Sequence, residues 1–181
     1  MPVREIQAKS IYSAEKACYN IKKPYAMRCG LKLGLGDSVQ KFVTKNYSET
    51  CALGERVGKT LCGGRVLAFF GGMGMGKTAF VTGVAKGMGL SDFVSSPTFS
   101  IVNVYGRHDE LCHFDMYRVE SWEDLDSTGF FDYMENGSVL CVEWSENIEN
   151  ALPDDAVRIT MAQGDEADTR IITIDGLETV L

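Results

Sequence analysis

The stretch Arg65-Val66-Leu67-Ala68-Phe69-Phe70-Gly71-Gly72-Met73-Gly74-Met75-Gly76-Lys77-Thr78 decides the fold of this chain. Its first half is an apolar run with no polar alternation, which suits a short central strand covered on both faces. Its second half fits G-x-x-x-x-G-K-[ST], and the residues from Lys77 to about Met88 read as a helix. Strand, glycine loop, lysine, hydroxyl and helix in that order make a phosphate cradle. The loop turns main-chain N–H groups toward anionic oxygens, and the helix behind it offers the positive end of its dipole. Lys77 supplies a point charge for terminal phosphates and the Thr78 hydroxyl helps to hold Mg2+. A chance glycine turn in a chain with 19 glycines would not bring the strand and the helix with it.

Outward from the loop, Ser48 is placed to cap a helix whose Leu53, Val57 and Leu61 recur on one face, with Gly63-Gly64 ending the segment. Downstream, a polar turn around Pro97 precedes two β-rich runs, Ser100 to Tyr105 and Leu111 to Tyr117, joined through Gly106-Arg107-His108-Asp109 as a hairpin. Ser121 and Asp124 make a capping box for an acidic helix from Trp122 to about Ser127. Val139-Leu140-Cys141-Val142 is a second buried-strand run, and Ala156 to Met161 with Arg170 to Ile174 reads as a last hairpin. One crossover helix with several hairpins predicts a three-layer α/β, P-loop NTPase-like domain whose central sheet is mixed parallel and antiparallel.

Composition sets the outer limits. The chain has 181 residues, 45% hydrophobic and 24% charged, which suits one compact domain and excludes disorder as the main state. A net charge of -7 argues against gripping nucleic acid over the whole surface. Residues 1–40 differ, carrying +4 against -11 for the remainder, and read as a basic extension with a short helix capped by Ser13 and a linker at Gly30, Gly34 and Gly36. Residues 41–181 form the expected domain. The six cysteines are scattered without close C-x-x-C pairs, so reduced structural thiols are expected; with only His108 and His113 besides, a zinc site is not. No apolar run reaches the roughly 18 to 20 residues of a membrane span, and no secretion signal is recognised, which predicts a cytoplasmic protein without membrane contact.

Nucleotide hydrolysis also needs an acidic residue at the end of a neighbouring buried strand to organise metal and water. Asp115 closes Leu111-Cys112-His113-Phe114, and Glu143 closes Val139-Leu140-Cys141-Val142 after the cleaner apolar run. Glu123, Asp124 and Asp126 read as a solvated helix face.

Together the glycine loop, Ser96-Pro97-Thr98-Phe99, His113-Phe114-Asp115-Met116-Tyr117-Arg118 and Val142-Glu143-Trp144, in that order, resemble the bacterial TsaE (YjeE) family of small P-loop ATPases needed to make threonylcarbamoyladenosine in tRNA. The resemblance runs from about Lys41 to Ile174. It implies that Gly71, Gly72, Met73, Gly74, Met75 and Gly76, with Lys77 and Thr78, hold ATP, and that Thr50 sits near the nucleotide. It also implies a switch-like Thr98 near the γ-phosphate or metal, Glu143 nearest Mg2+ with Thr78, and Asp115 supporting the metal–water network. Lys77, Asp115 and Glu143 are then the catalytic set, while Arg118 and Trp144 carry no assigned role. Gly72, Met73 and Met75 stand where the family usually has an acidic residue, Leu and Ala, Ala79 where Thr is common, and Ser145 where Pro is common.

The implied activity is Mg2+-dependent ATP hydrolysis, weak alone because no arginine finger is evident near the loop. The protein would be an isolated monomer acting on TsaD and TsaB, touching tRNA only through that complex and not transferring the threonylcarbamoyl group. The competing functions are a small-molecule P-loop kinase and a nucleotide-dependent binding module without productive hydrolysis.

Overall fold

The computed structural model describes residues 39–177. In chain order these form β1 (Gln40–Thr44), α1 (Tyr47–Thr60), β2 (Val66–Phe70), α2 (Lys77–Gly87), β3 (Val102–Tyr105) and β4 (Leu111–Asp115). They continue as α3 (Trp122–Ser127), α4 (Phe130–Glu135), β5 (Val139–Glu143), a 3-10 segment Ser145–Ala151, β6 (Val157–Gln163) and β7 (Arg170–Asp175). The proposed Ser13 helix and glycine linker lie outside the described residues.

The seven strands make one sheet in the order β1-β7-β6-β2-β5-β4-β3. β2 lies between β5 and β6 and is parallel to both, so the all-apolar run read in the sequence is a central strand covered on each side. β3 pairs antiparallel with β4, and β7 antiparallel with both β6 and β1. On one face α1 and α2 cover Leu67, Phe69, Ile159 and Ile172; Phe69 and Phe80 meet edge to face at 5.5 Å. On the other, α3, α4 and the 3-10 segment cover Val66, Phe114, Leu140 and Val142. The sheet is therefore the middle of three layers, mixed in direction as the motif order predicts.

Helices α1 and α2 touch through backbone. A Cβ on Gly83 would lie 2.0 Å from the Cys51 carbonyl oxygen, and one on Gly54 would lie 2.2 Å from that of Phe80. Glu55 ties the pair at the rim, its two carboxylate oxygens accepting from Lys59 at 2.8 Å and Lys86 at 2.7 Å. Those hydrogen bonds hold the Glu55 pKa down to about 2 from 4.5. A depressed folded pKa stabilises the fold above the unfolded value, and this tie is lost as pH falls from 4.5 toward 2.

Three local features differ from the sequence reading. The cap of α1 is Asn46, not Ser48: Asn46 has extended backbone and its Oδ1 accepts from the Glu49 N–H at 2.9 Å, while Ser48 already lies within the first turn. Asn46→Ala is expected to cost about 1 kcal/mol, measured as a lower urea midpoint at unchanged slope. Second, β1 and α4 had no clear signal; β1 is a short, half-polar edge strand that exists by pairing Phe42 with Ile172 across β7. Third, Cys62 is disulfide-bonded, so the reading of all cysteines as reduced fails there, although Cys51, Cys112 and Cys141 are free. Among the described residues no helix is long and apolar enough to cross a membrane.

Candidate functional site

The glycine loop leaves β2 at the carboxyl end of the parallel strands, where α/β sheets hold their ligands. Gly71 has φ +130°, and a Cβ there would lie 2.3 Å from the Met161 carbonyl oxygen of β6, so no other residue fits where the chain turns off the sheet. Gly76, at φ +93°, is the N-cap of α2 and brings no side-chain cap, leaving the first-turn N–H groups of an eleven-residue helix for an anion. Gly72, Met73 and Gly74 form the exposed tip; Met73 is 82% exposed, whereas Met75 turns inward onto the core beneath.

Lys77 is buried, and its ammonium donates to the carbonyls of Gly71 at 2.7 Å and Gly72 at 2.9 Å. It also lies 4.6 Å from the centre of the Trp144 ring. Burial pulls its pKa below the ordinary lysine value, against the opposing pull of Glu143, Glu146 and Asp115. Trp144 reaches this position from a left-handed backbone, φ +59°, with Tyr117 packed on it at 4.9 Å between ring centres. Such a conformation costs a non-glycine residue on the order of 1–3 kcal/mol and is characteristic of functional sites.

The two carboxylates are register partners at the ends of β4 and β5. Glu143 Oε1 accepts from the Thr78 hydroxyl at 2.9 Å and lies 2.9 Å from His113 Nε2. Burial raises the Glu143 pKa, but the His113 hydrogen bond and charge, the Thr78 hydroxyl and Lys77 outweigh it, so the carboxyl titrates below its ordinary range. Asp115 faces a different partner. Its Oδ2 accepts from the Thr98 hydroxyl at 2.9 Å and its Oδ1 from the Tyr117 N–H at 3.0 Å. Thr98 also shares a 2.8 Å hydrogen bond with Ser96, and the segment closes where the Asp115 N–H donates to the carbonyl of Ile101, a β-branched residue at φ +69°.

The structure thus brings Gly71 to Thr78, Glu143, Asp115 and Thr98 to one end of the sheet. Thr50 stands on the opposite flank of the loop. It is buried in the first turn of α1, shares a 2.8 Å hydrogen bond with Thr44, and its methyl carbon is 3.8 Å from where a Gly76 Cβ would be. Arg118 lies 5.9 Å from the Phe99 ring centre and makes no part of the loop's hydrogen bonding.

Two residues had no role in the site from sequence. His113, fully buried, sits beside Glu143 because period-two alternation puts it on the same face of β4 as Asp115; that signal was available. Its Nε2 faces the Glu143 carboxylate, and its buried Nδ1 has no hydrogen-bond partner. Arg170, at the start of β7, donates from Nη2 to the Gly74 carbonyl at 3.2 Å. No local pattern reveals a contact between positions 96 apart in sequence.

Thr78 and Glu143 offer hard oxygen donors side by side, and among the described residues there is no group of three or more His, Cys, Asp or Glu placed to hold a metal ion. That pair fits Mg2+, which takes one or two protein oxygens and completes its octahedron from phosphates and water.

A parallel strand, a glycine loop opening a helix, and an acidic residue ending the next strand define a P-loop NTPase-like α/β domain. Comparison with known proteins narrows this. The family described as "Threonylcarbamoyl adenosine biosynthesis protein TsaE" matches residues 44–172. A tRNA threonylcarbamoyladenosine biosynthesis protein TsaE of Bacillus subtilis is 35% identical over 134 residues, covering 74% of this chain and 83% of that protein. Its Treponema pallidum counterpart is 34% identical over 119 residues, covering 66% and 88%. The crystal structure of B. subtilis YdiB superimposes with a TM-score of 0.65 at 30% identity, covering 77% of this chain and 86% of that one. The chain belongs to the TsaE family, whose role is in the biosynthesis of threonylcarbamoyladenosine in tRNA.

Proposed function

We propose that the protein is a Mg2+-dependent ATPase of the cytoplasm that drives threonylcarbamoyladenosine formation by acting on TsaD and TsaB, without transferring the group itself. The observation that carries this reading is the Thr78–Glu143 hydrogen bond at 2.9 Å, which joins the last residue of the phosphate loop to the acidic end of the adjacent strand. In the reaction the loop amides hold the phosphates and the Lys77 ammonium exchanges the Gly71 and Gly72 carbonyls for phosphate oxygens. Mg2+ between Thr78 and Glu143 would neutralise charge developing on the phosphates. His113 holds the Glu143 carboxylate in place and ionised. Asp115 ties the Thr98 segment, whose hydroxyl has a choice between that carboxylate and a γ-phosphate, so its position can report nucleotide state.

The acidic chain favours leaving tRNA phosphates to partner proteins. Reconstitution of the modification with TsaD, TsaB, tRNA and this protein tests the reading. Modified tRNA should require the protein and ATP, and the partners should raise release of free phosphate; an arginine supplied in trans adds about 10³ to 10⁵ in related chemistry. Fast hydrolysis by the protein alone, unchanged by partners, would refute the accessory role. Phosphate arriving on a small metabolite would favour the kinase.

A further inference from the structure

We infer that the basic N-terminal extension is fastened to the base of the domain by a reversible disulfide between Cys62 and one of the extension's own cysteines, Cys18 or Cys29. The inference does not depend on the proposed ATP site, because Cys62 lies at the opposite end of the sheet from the glycine loop.

The pairing follows by elimination. Cys62 is disulfide-bonded, whereas Cys51, Cys112 and Cys141 are free thiols. Each of those three is also out of reach. Cys51 sits near the start of α1 and Cys62 just past its end, so at about 1.5 Å per residue they stand roughly 16 Å apart, well beyond the about 7 Å that a disulfide spans. Cys112 and Cys141 are buried in β4 and β5. Burial pushes the Cys112 thiol up to about 11 and the Cys141 thiol well up, so neither supplies the thiolate that exchange needs. The chain has six cysteines, which leaves Cys18 and Cys29.

The place suits a tether. β1 and β6 are both antiparallel to β7, and β6 is parallel to β2, so β1 and β2 start at the same end of the sheet. Val39, the first described residue, and the half-buried Cys62, just before β2, therefore share that end. Gln40 and Arg65 meet the same short segment there, Gln40 Nε2 donating to Leu177 O and Arg65 Nη2 to Gly176 O, each at 3.2 Å. Cys29 is ten residues from Val39, a reach of up to about 33 Å. Charge draws the two parts together. Asp109, Glu110, Asp154 and Asp155 precede β4 and β6 at this end and Asp175 closes β7, while the extension carries +4. Arg28 stands beside Cys29, and a neighbouring cation favours the thiolate.

The bond forms by thiol–disulfide exchange with a low-molecular-weight disulfide of the glutathione class. One protein thiolate attacks that disulfide, releasing one thiol and leaving a mixed disulfide, and the second protein thiolate displaces the other. Two cysteine thiols are oxidised to one S–S bond, and the reagent is reduced to two thiols. The reverse exchange frees the extension. In a reducing compartment such bonds are transient or redox-sensing, which makes the tether a switch.

Peptide mapping of the full chain, alkylated before and after reduction, tests this. After equilibration with oxidised glutathione, trypsin should yield residues 60–65 joined to 29–32 or to 17–22. That linkage should vanish with reductant and in Cys62→Ser. Brief trypsin treatment of the folded protein gives a second readout: the severed extension should stay with the domain on a non-reducing gel and leave it once reductant is added. Loss of the linkage in Cys18→Ser or in Cys29→Ser names the partner. Thermal melting shows whether the serine variants fold, and the wild-type map carries the test where one does not. Cys62 recovered as a free thiol from the oxidised protein would overturn the inference. Linkage of Cys62 to Cys51, Cys112 or Cys141, or to a second copy of the chain, would overturn it as well.

Discussion

Glu143→Gln is expected to yield a folded protein that still binds ATP and turns it over about two to three orders of magnitude more slowly. The side chain keeps its shape, so the Thr78 hydroxyl and His113 retain a hydrogen-bond partner at the end of β5. What disappears is the negative charge, which the neighbouring groups favour by holding the carboxyl below its ordinary range. An amide oxygen is a poor Mg2+ ligand and cannot orient a water as a base. The loop amides and Lys77, the proposed phosphate ligands, are untouched, so the loss should appear in turnover and not in affinity. Phosphate release at saturating ATP with TsaD and TsaB present, beside a melting curve, reads it out. A variant that hydrolyses ATP at the wild-type rate would leave only Asp115 as the acidic organiser and displace Glu143 from the site.

Gly83→Ala should be among the most destabilising single-methyl changes in the molecule. Helix propensity alone predicts a gain of up to about 1 kcal/mol from Gly to Ala in the middle of α2. Packing reverses the sign. The new Cβ would be 2.0 Å from the Cys51 carbonyl oxygen and 2.8 Å from the Glu55 nitrogen, backbone atoms of α1 that no rotamer change can move. Parting the helices costs about 3 kcal/mol, a large share of the roughly 5–15 kcal/mol that holds a domain together. Equilibrium denaturation should show the lower midpoint. The exposed Gly89, at φ +81° with nothing within 4 Å of its Cβ position, tests a different effect, because alanine there meets backbone strain and no clash. A Gly83→Ala protein as stable as wild type would mean that α1 and α2 do not touch through their backbones.

Much of this site is legible in one dimension because its parts are local. The strand–loop–helix unit from Val66 to Gly87, the Ser121–Asp124 capping box and the carboxylates ending β4 and β5 depend on residues a few positions apart, so spacing reveals them. His113 was within reach by alternation, its face being shared with Asp115. The cap of α1 was displaced by two residues because Asn46 and Ser48 are both good caps and only the backbone entering the helix distinguishes them. Strand β1 is stabilised by its register with β7 and not by its own composition, and Arg170 meets Gly74 only once the sheet has put β7 beside β6. Features that exist through long-range register leave no periodic trace in the sequence.

The backbone contact between α1 and α2, with Glu55 riveted to Lys59 and Lys86, makes the two helices one stiff beam, anchored at one end by the phosphate loop and by Thr50. A beam of that kind does not flex, so a message about the γ-phosphate has little chance of travelling along it. The stretch from Ser95 to Ile101 lies apart from the beam, held by the Thr98 and Tyr105 hydroxyls, the Asn103 amide and the Asp115 N–H, and carries a 90% exposed Phe99 at its crest. On the proposed reading, what a partner senses of the nucleotide would be written on that short crest, with the beam as its fixed datum.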